Sequence, residues 1–410
     1  VLADKANKRA APRAVSIPVV FDYLLSHLGF FSVLPVLPLL LDGLHNDVGP
    51  LFIGASLFAF NFVVRGASLF CSRLLHRSPI RRAMATGLLM AAAGFVLLPW
   101  APGAVTSVLC LLVAGTGISI NGLMARVYVA LSIDDPAGRN TVFSAVQVAV
   151  NVGAALGPVV ANLLLGRQLD VLLMCGVAVM YVLAAVVVVL ALPRELRPGD
   201  GDVRPPLRLG LLRDVVLDPH VRRVSAITAV GSFLYAQFFS AIVLHVAELT
   251  DSAPLRASFF TLNAVLVVVV QIPVSAITSR RLAGGASPVG FLLAGALGFV
   301  AAFIVMGVTG AAVAGAFAAV VIFSVAETLF TPMVNTAFSA IPGDRPAVEL
   351  FNLRQVAATA GESAGAFTGG TLFLVALGLG AVPAYWLLLA VCGAAAVLPF
   401  RNRTGTEVPR

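Results

Sequence analysis

Charge is what this sequence has least of. Asp, Glu, Lys and Arg make up 11% of its 410 residues, where a water-soluble domain carries about 25%. A chain this poor in charge cannot clothe a globular surface in hydrated groups, which excludes a soluble enzyme or binding domain. Cysteine is scarce too: Cys71, Cys110, Cys175 and Cys392 lie in or beside apolar runs without metal-ligand spacing, and read as small buried hydrophobes. His27, His45, His76, His220 and His245 are scattered and form no two-histidine motif. No glycine-rich loop ends in Gly-Lys-Ser/Thr. The reading is therefore of a chain that is not an enzyme, with no catalytic residues, metal or cofactor, whose movements are driven by something other than hydrolysis.

What is abundant is apolar: 59% of residues are hydrophobic, and the mean hydropathy is +0.99. Judged against the roughly 20 helical residues that cross a bilayer, the first half gives spans at 16–41, 48–75, 80–98, 105–131, 141–164 and 169–192. A polar linker, 193–223, is rich in Pro, Gly, Asp and Arg, and its 207–216 piece suits a short surface helix. Spans at 224–249, 255–277, 289–308, 311–340, 351–377 and 383–400 follow. The expected fold is an all-α membrane protein with twelve transmembrane helices: a six-helix bundle over 1–192, a cytoplasmic linker over 193–223 and a second six-helix bundle over 224–410. The basic start, residues 1–13, precedes an apolar run too long for an ordinary leader.

The formal charge of +8 is not gathered into a nucleic-acid-binding face; the basic residues flank the apolar runs. With the N-terminus in the cytoplasm, that side receives Lys5, Lys8, Arg9, Arg13, Arg73, Arg77, Arg81, Arg82, Arg139, the linker arginines, Arg280, Arg281, Arg345, Arg401, Arg403 and Arg410. The other side receives Arg167 and Arg256 beside Asp42, Asp47, Asp170, Glu248 and Asp251. This bias predicts a multi-pass protein of the cell inner (plasma) membrane with both termini cytoplasmic. Pro99 to Gly103 suits an outer turn with Trp100 at the interface, and Trp386 begins the last span.

Six ionisable residues remain inside the spans: Asp22, Arg65, Arg126, Glu327, Arg354 and Glu362. Exposed to hydrocarbon, each would cost several kcal/mol, so each belongs in the bundle interior or a wet cavity. Glu327 and Glu362 lie about ten residues, or on the order of 15 Å, from either surface. With Asp22, nearer the cytoplasmic end, they are the candidate proton carriers. Arg65, Arg126 and Arg354 are candidate ion-pair partners or substrate contacts, and snorkelling to the inner surface is open to Arg126 and Arg354. Asn61, Gln147, Asn151, Tyr235, Gln237 and Asn335 join them as candidate cavity residues, because amides are scarce in such spans and hydrogen-bond between helices or in a cavity. Asn263, Gln271 and Gln355 share that property.

Pro35, Pro38, Pro158, Pro273 and Pro332 fall inside spans, where proline bends a helix. Aromatics cluster in the first, second and seventh spans: Phe21, Tyr23, Phe30 and Phe31; Phe58, Phe60 and Phe62; Phe233, Tyr235, Phe238 and Phe239. These suit an apolar or cationic aromatic ligand, although with 26 phenylalanines most face lipid or core.

Gly153, Gly157 and Pro158 in the fifth span are echoed by Gly361, Gly365, Gly369 and Gly370 in the eleventh. Glycines four apart share a helix face and admit a neighbouring backbone. The first set resembles the fifth-helix antiporter motif of the major facilitator superfamily, with Ala161 and Asn162 at its closing positions. Leu28-Gly29 followed by Pro35-Val36-Leu37-Pro38 is similar to the first-helix signature of that superfamily's twelve-helix proton-coupled drug exporters. Ser72, Leu74, His76, Arg77, Pro79, Arg81 and Arg82 resemble its cytoplasmic loop motif, with His76 at the acidic member's place. A weaker copy surrounds Arg280-Arg281-Leu282, and Leu111 stands near where the fourth helix usually has arginine. Asp22, the Arg126 region and Glu327 resemble an exporter subgroup with acids in helices one and ten.

The resemblance implies two six-helix halves around a cavity open to each side in turn, and proton-coupled export of small amphipathic or hydrophobic compounds. The expected partners are a small-molecule substrate, protons and the lipid bilayer, with no nucleic acid, the protein working as a monomer. Two alternatives stand beside it: an uptake carrier or facilitator for a peptide, sugar or other metabolite, and a non-transporting receptor or scaffold.

Overall fold

The computed structural model describes residues 12–34, 37, 40–41, 50–165, 170–199, 213 and 217–403, and among them the regular structure is helical throughout. The helices are α1 (Pro12–Val33), α2 (Pro50–Phe70), α3 (Ser72–Arg77), α4 (Ile80–Leu97), α5 (Ala104–Ser132), α6 (Pro136–Leu165), α7 (Asp170–Ala191), α8 (Pro219–Ala236), α9 (Ala241–Leu249), α10 (Ala253–Ala283), α11 (Pro288–Thr309), α12 (Val313–Ser339), α13 (Ala347–Gly378) and α14 (Val382–Val397). Pro35, Pro38 and the linker piece 207–216, apart from Arg213, lie outside the described residues.

Ten segments are long and apolar enough to cross a membrane, and the apolar part of α2, Ser56–Phe70, adds a shorter one. The twelfth is α13, whose 32 residues are ample for a crossing but carry Glu349, Arg354 and Glu362. The fold is the expected all-α, twelve-helix membrane architecture. Two spans depart from a single straight helix. The second breaks at Cys71, after which α3 turns off as six residues. The seventh ends its first part at Ala236, passes through a 3-10 turn at Gln237–Phe239, and resumes at Ala241.

The helix ends follow local chemistry. Asp218 accepts from the amides of His220 (2.9 Å) and Val221 (3.2 Å), and Pro219 occupies the first helical position, where no amide partner is lost. At the end of α11, Gly310 adopts φ 56°, a left-handed conformation that a side chain would strain.

The chain divides into two compact units: Val1–Asp134 with Val148–Arg208 and Asp344–Asn352, and Asp135–Gln147 with Leu209–Gly343 and Leu353–Arg410. Helix α6 thus gives its turns up to Gln147 to the second unit and the remainder to the first. In the first unit, Phe60, Phe95 and Tyr181 form a buried aromatic column, with centroids 6.2 and 5.7 Å apart. In the second, Phe323 stacks on Phe238 at 4.9 Å and lies 4.6 Å from Phe299. Aromatic pairs at these spacings add about 0.5–1.5 kcal/mol beyond their area, and they fix the helices from which the site side chains project.

Candidate functional site

In the second unit the polar centre is Glu327, midway along α12 and 3% exposed. Its Oε2 accepts from Asn263 Nδ2 of α10 at 3.0 Å. Its Oε1 accepts from Gln147 Nε2 of α6 at 3.3 Å and from the Tyr235 hydroxyl of α8 at 3.4 Å. Three helices therefore converge on one carboxyl of a fourth through neutral donors. Asn263 also donates to Ser324 Oγ at 3.0 Å, one turn before Glu327 on α12. The Tyr235 ring is wedged among Phe239, Phe299 and Phe323 at 5.5–6.1 Å, so its hydroxyl reaches Glu327 across an apolar wall. Donors of this kind satisfy a carboxyl without neutralising it, and leave it able to hold or surrender a proton.

The first unit has a simpler counterpart. Asp22 on α1 is fully buried, and Asn121 Nδ2 on α5 donates to both its oxygens at 3.1 Å. The neighbouring Tyr23 donates its hydroxyl to the Gly122 carbonyl at 3.5 Å and stacks on His27, with centroids 5.0 Å apart.

The other candidates scatter. Gln237 is fully buried in the break between α8 and α9. It donates to the Gly365 carbonyl at 3.0 Å and to Thr368 Oγ1 at 3.3 Å, and accepts from the Tyr385 hydroxyl at 2.7 Å. Its hydrogen-bonding capacity is spent joining helices. Asn61 turns back onto the Leu57 carbonyl of its own helix at 2.9 Å. Arg354 donates to Gln355 Oε1 at 3.2 Å, and the Nε2 of Gln355 donates to Thr359 Oγ1 at 3.1 Å. Glu362 and Asn335 are half-buried, Asn151 is buried, and Arg65 is exposed. Of the three expected proton carriers, Glu327 and Asp22 sit in built polar nests.

The two glycine sets make the close approaches their spacing predicts. A Cβ on Gly153 would lie 2.9 Å from the backbone of His27 and Leu28, and one on Gly157 would lie 2.7 Å from Phe31, so this face of α6 rests on α1. Pro158 follows inside the helix. In the second unit, Gly361 and Gly365 of α13 face the carbonyls of Ala229 and Phe233 on α8. In the loop motif, His76 is 2% exposed and its ring would lie 2.9 Å from a Cβ on Gly199. Arg81 donates to the Val189 carbonyl at 3.1 Å, near the end of α7, where the helix dipole favours a cation. Arg77 and Arg82 are exposed.

Sequence reasoning passed over Asn121, an amide in the middle of the fourth span and visible by the same criterion that picked out Gln147. The pairing of Gly87 with Gly117 was also unmarked, yet a Cβ on Gly87 would meet the Gly117 carbonyl at 2.7 Å. Thirty positions apart, they form no short motif.

Known proteins carry the same architecture. The human organic anion transporter MFSD10 (TETRAN) superposes with a TM-score of 0.69 at 18% identity, covering 95% of this chain and 100% of that one. The E. coli fucose:proton symporter FucP gives 0.70 at 16%, covering 96% and 100%. A bacterial homologue of the iron transporter ferroportin, in its outward-facing state, gives 0.73 at 14%, covering 95% and 100%. At these identities the likeness is one of fold. The multidrug resistance protein MdtH of Yersinia pestis (strain Pestoides F) is 26% identical over 265 residues, 64% of this chain. The chain spans 64% of the length of that relative. The profile of the Major Facilitator Superfamily matches residues 19–366, most of the twelve-helix chain, and the protein belongs to that family.

Proposed function

We propose that this transporter is a proton-coupled exporter of small amphipathic or hydrophobic compounds, with Glu327 as the principal proton carrier and Asp22 as a second. The single observation that carries the reading is the nest around Glu327: a carboxyl at mid-membrane, held by Gln147, Tyr235 and Asn263 and by no cation among the hydrogen bonds it makes. A carboxylate locked to an arginine is held ionised by its partner, whereas one held by amides and a phenol can accept a proton and keep its position. The similarity to MdtH supports the drug-efflux part of the reading.

In this mechanism the transporter binds cargo from one face and releases it to the other, with bundles over 1–192 and 224–410 and 193–223 as the cytoplasmic linker. Cargo and proton compete: cargo favours the form in which Glu327 is ionised, and reprotonation from the other side ejects it. The exposed Phe239 and the ring of Tyr235 offer an aromatic surface beside the carboxyl. The working unit is the monomer in the inner membrane, with both termini cytoplasmic.

The test is ethidium binding to purified protein, read as a melting shift at mildly acidic and mildly alkaline pH. The wild type should bind more tightly at the higher pH, and Glu327→Gln should lose most of that difference, the remainder belonging to Asp22. A pH dependence as large in Glu327→Gln as in the wild type would remove Glu327 from the carrier role.

A further inference from the structure

Arg126 lies in α5 with no carboxylate in ion-pairing distance and no hydrogen bond among the described residues, and its Nε is buried without a partner. A guanidinium left in this condition inside a membrane span is costly unless something anionic completes it. Snorkelling is the ordinary escape, and the nearer end of α5 is at Ser132. The side chain runs the other way. Its two terminal nitrogens lie 3.7 and 3.9 Å from where a Cβ on Gly122 would stand, one turn back along the helix and away from that end.

The open face at Gly122 leads to a second group. The Gly122 carbonyl accepts the Tyr23 hydroxyl, and the Tyr23 ring stacks on His27. The Nδ1 of His27 meets the Tyr23 carbonyl at 3.0 Å. A carbonyl only accepts, so Nδ1 carries the proton and Nε2 is left to meet a ligand. Phe30 and Phe31 lie 6.4 and 6.2 Å from the same ring. The nearby acid, Asp22, is engaged through both oxygens by Asn121.

From this arrangement we infer that Arg126 and His27 form a binding site for an anionic group, the carboxylate of an amphiphilic cargo whose apolar body packs on Tyr23, Phe30 and Phe31. The guanidinium fork matches a carboxylate with two parallel hydrogen bonds, and Nε2 is the second polar contact. The inference rests on the transport reading and names the head group that the first unit accepts. A lipid phosphate presents the same charge and is the rival occupant.

The experiment measures binding of 2-naphthoate and of its uncharged analogue 2-naphthamide to the detergent-purified protein by melting shift and by calorimetry. The wild type should bind naphthoate at least tenfold more tightly than naphthamide. Arg126→Gln should lose that preference, Arg126→Lys should keep part of it, and His27→Gln should weaken naphthoate while naphthamide is unchanged. Arg197→Gln, on an exposed arginine of the linker, should behave as wild type. Equal binding of the two compounds by the wild type, or an undiminished preference in Arg126→Gln, would overturn the proposal. So would nanodiscs in which phosphatidylglycerol abolishes naphthoate binding and stabilises the wild type but not Arg126→Gln, which would assign the site to lipid. None of these readings depends on Glu327, so the ethidium result stands or falls separately.

Discussion

Asn121 is the residue whose loss should be felt most locally. Among the described residues it is the only side chain that hydrogen-bonds Asp22, and it serves both oxygens. Hydrogen bonds to a charged group contribute about 1.5–3 kcal/mol in water-soluble proteins, and polar contacts between membrane helices average about 0.6. A double-mutant cycle of Asp22→Asn with Asn121→Leu should therefore give a coupling of about 1–2 kcal/mol in detergent stability. A coupling near zero would mean that the pair is incidental. Residue types at mid-span were legible from the sequence, because a carboxyl or amide there stands out against hydrocarbon. Their partners were not: Asn121 lies 99 positions from Asp22, and Gln147 lies 180 from Glu327. Gln237 shows the converse, since an amide in a span signals a polar contact without saying whether cargo or a neighbouring helix makes it.

At the scale of elements, the glycine sets are contact surfaces. Gly157→Ala would place a Cβ 2.7 Å from the Phe31 backbone, and backbone cannot swing aside as a side chain can. Overpacking of this kind costs about 1–3 kcal/mol, and the melting temperature should fall. Gly176→Ala on α7 meets nothing within 4 Å, and should be neutral or gain up to about 1 kcal/mol from helix propensity. Equal effects at the two sites would show that the α6–α1 approach is not as close as described. These surfaces were readable because i and i+4 share a face. The break in the seventh span was hidden because hydropathy runs unbroken through Phe238 and Phe239. It is set by Gln237 and Ser240, which seat against Gly365 and Gly369 of a helix far along the chain.

For the whole molecule, twelve crossings followed from apolar length and the placement of arginine, both one-dimensional properties. The eleventh was the hardest to see in hydropathy alone, because α13 carries its own charges. The sidedness of the chain is tested by single-cysteine labelling in a cysteine-free background. Arg197→Cys in the linker should react only with reagent on the cytoplasmic side, and Gly103→Cys, in the turn after Trp100, only from the opposite side. The reverse pattern would invert the orientation.

The central claim is that a proton on Glu327 is exchanged for cargo. Vesicles containing the purified protein and an internal pH dye, given a pH gradient with ethidium, read both fluxes at once. The account predicts that the wild type moves ethidium uphill with protons running the other way, and that Glu327→Gln supports only downhill exchange. Uphill movement at the wild-type rate in Glu327→Gln, or wild-type transport without proton flux, would contradict it.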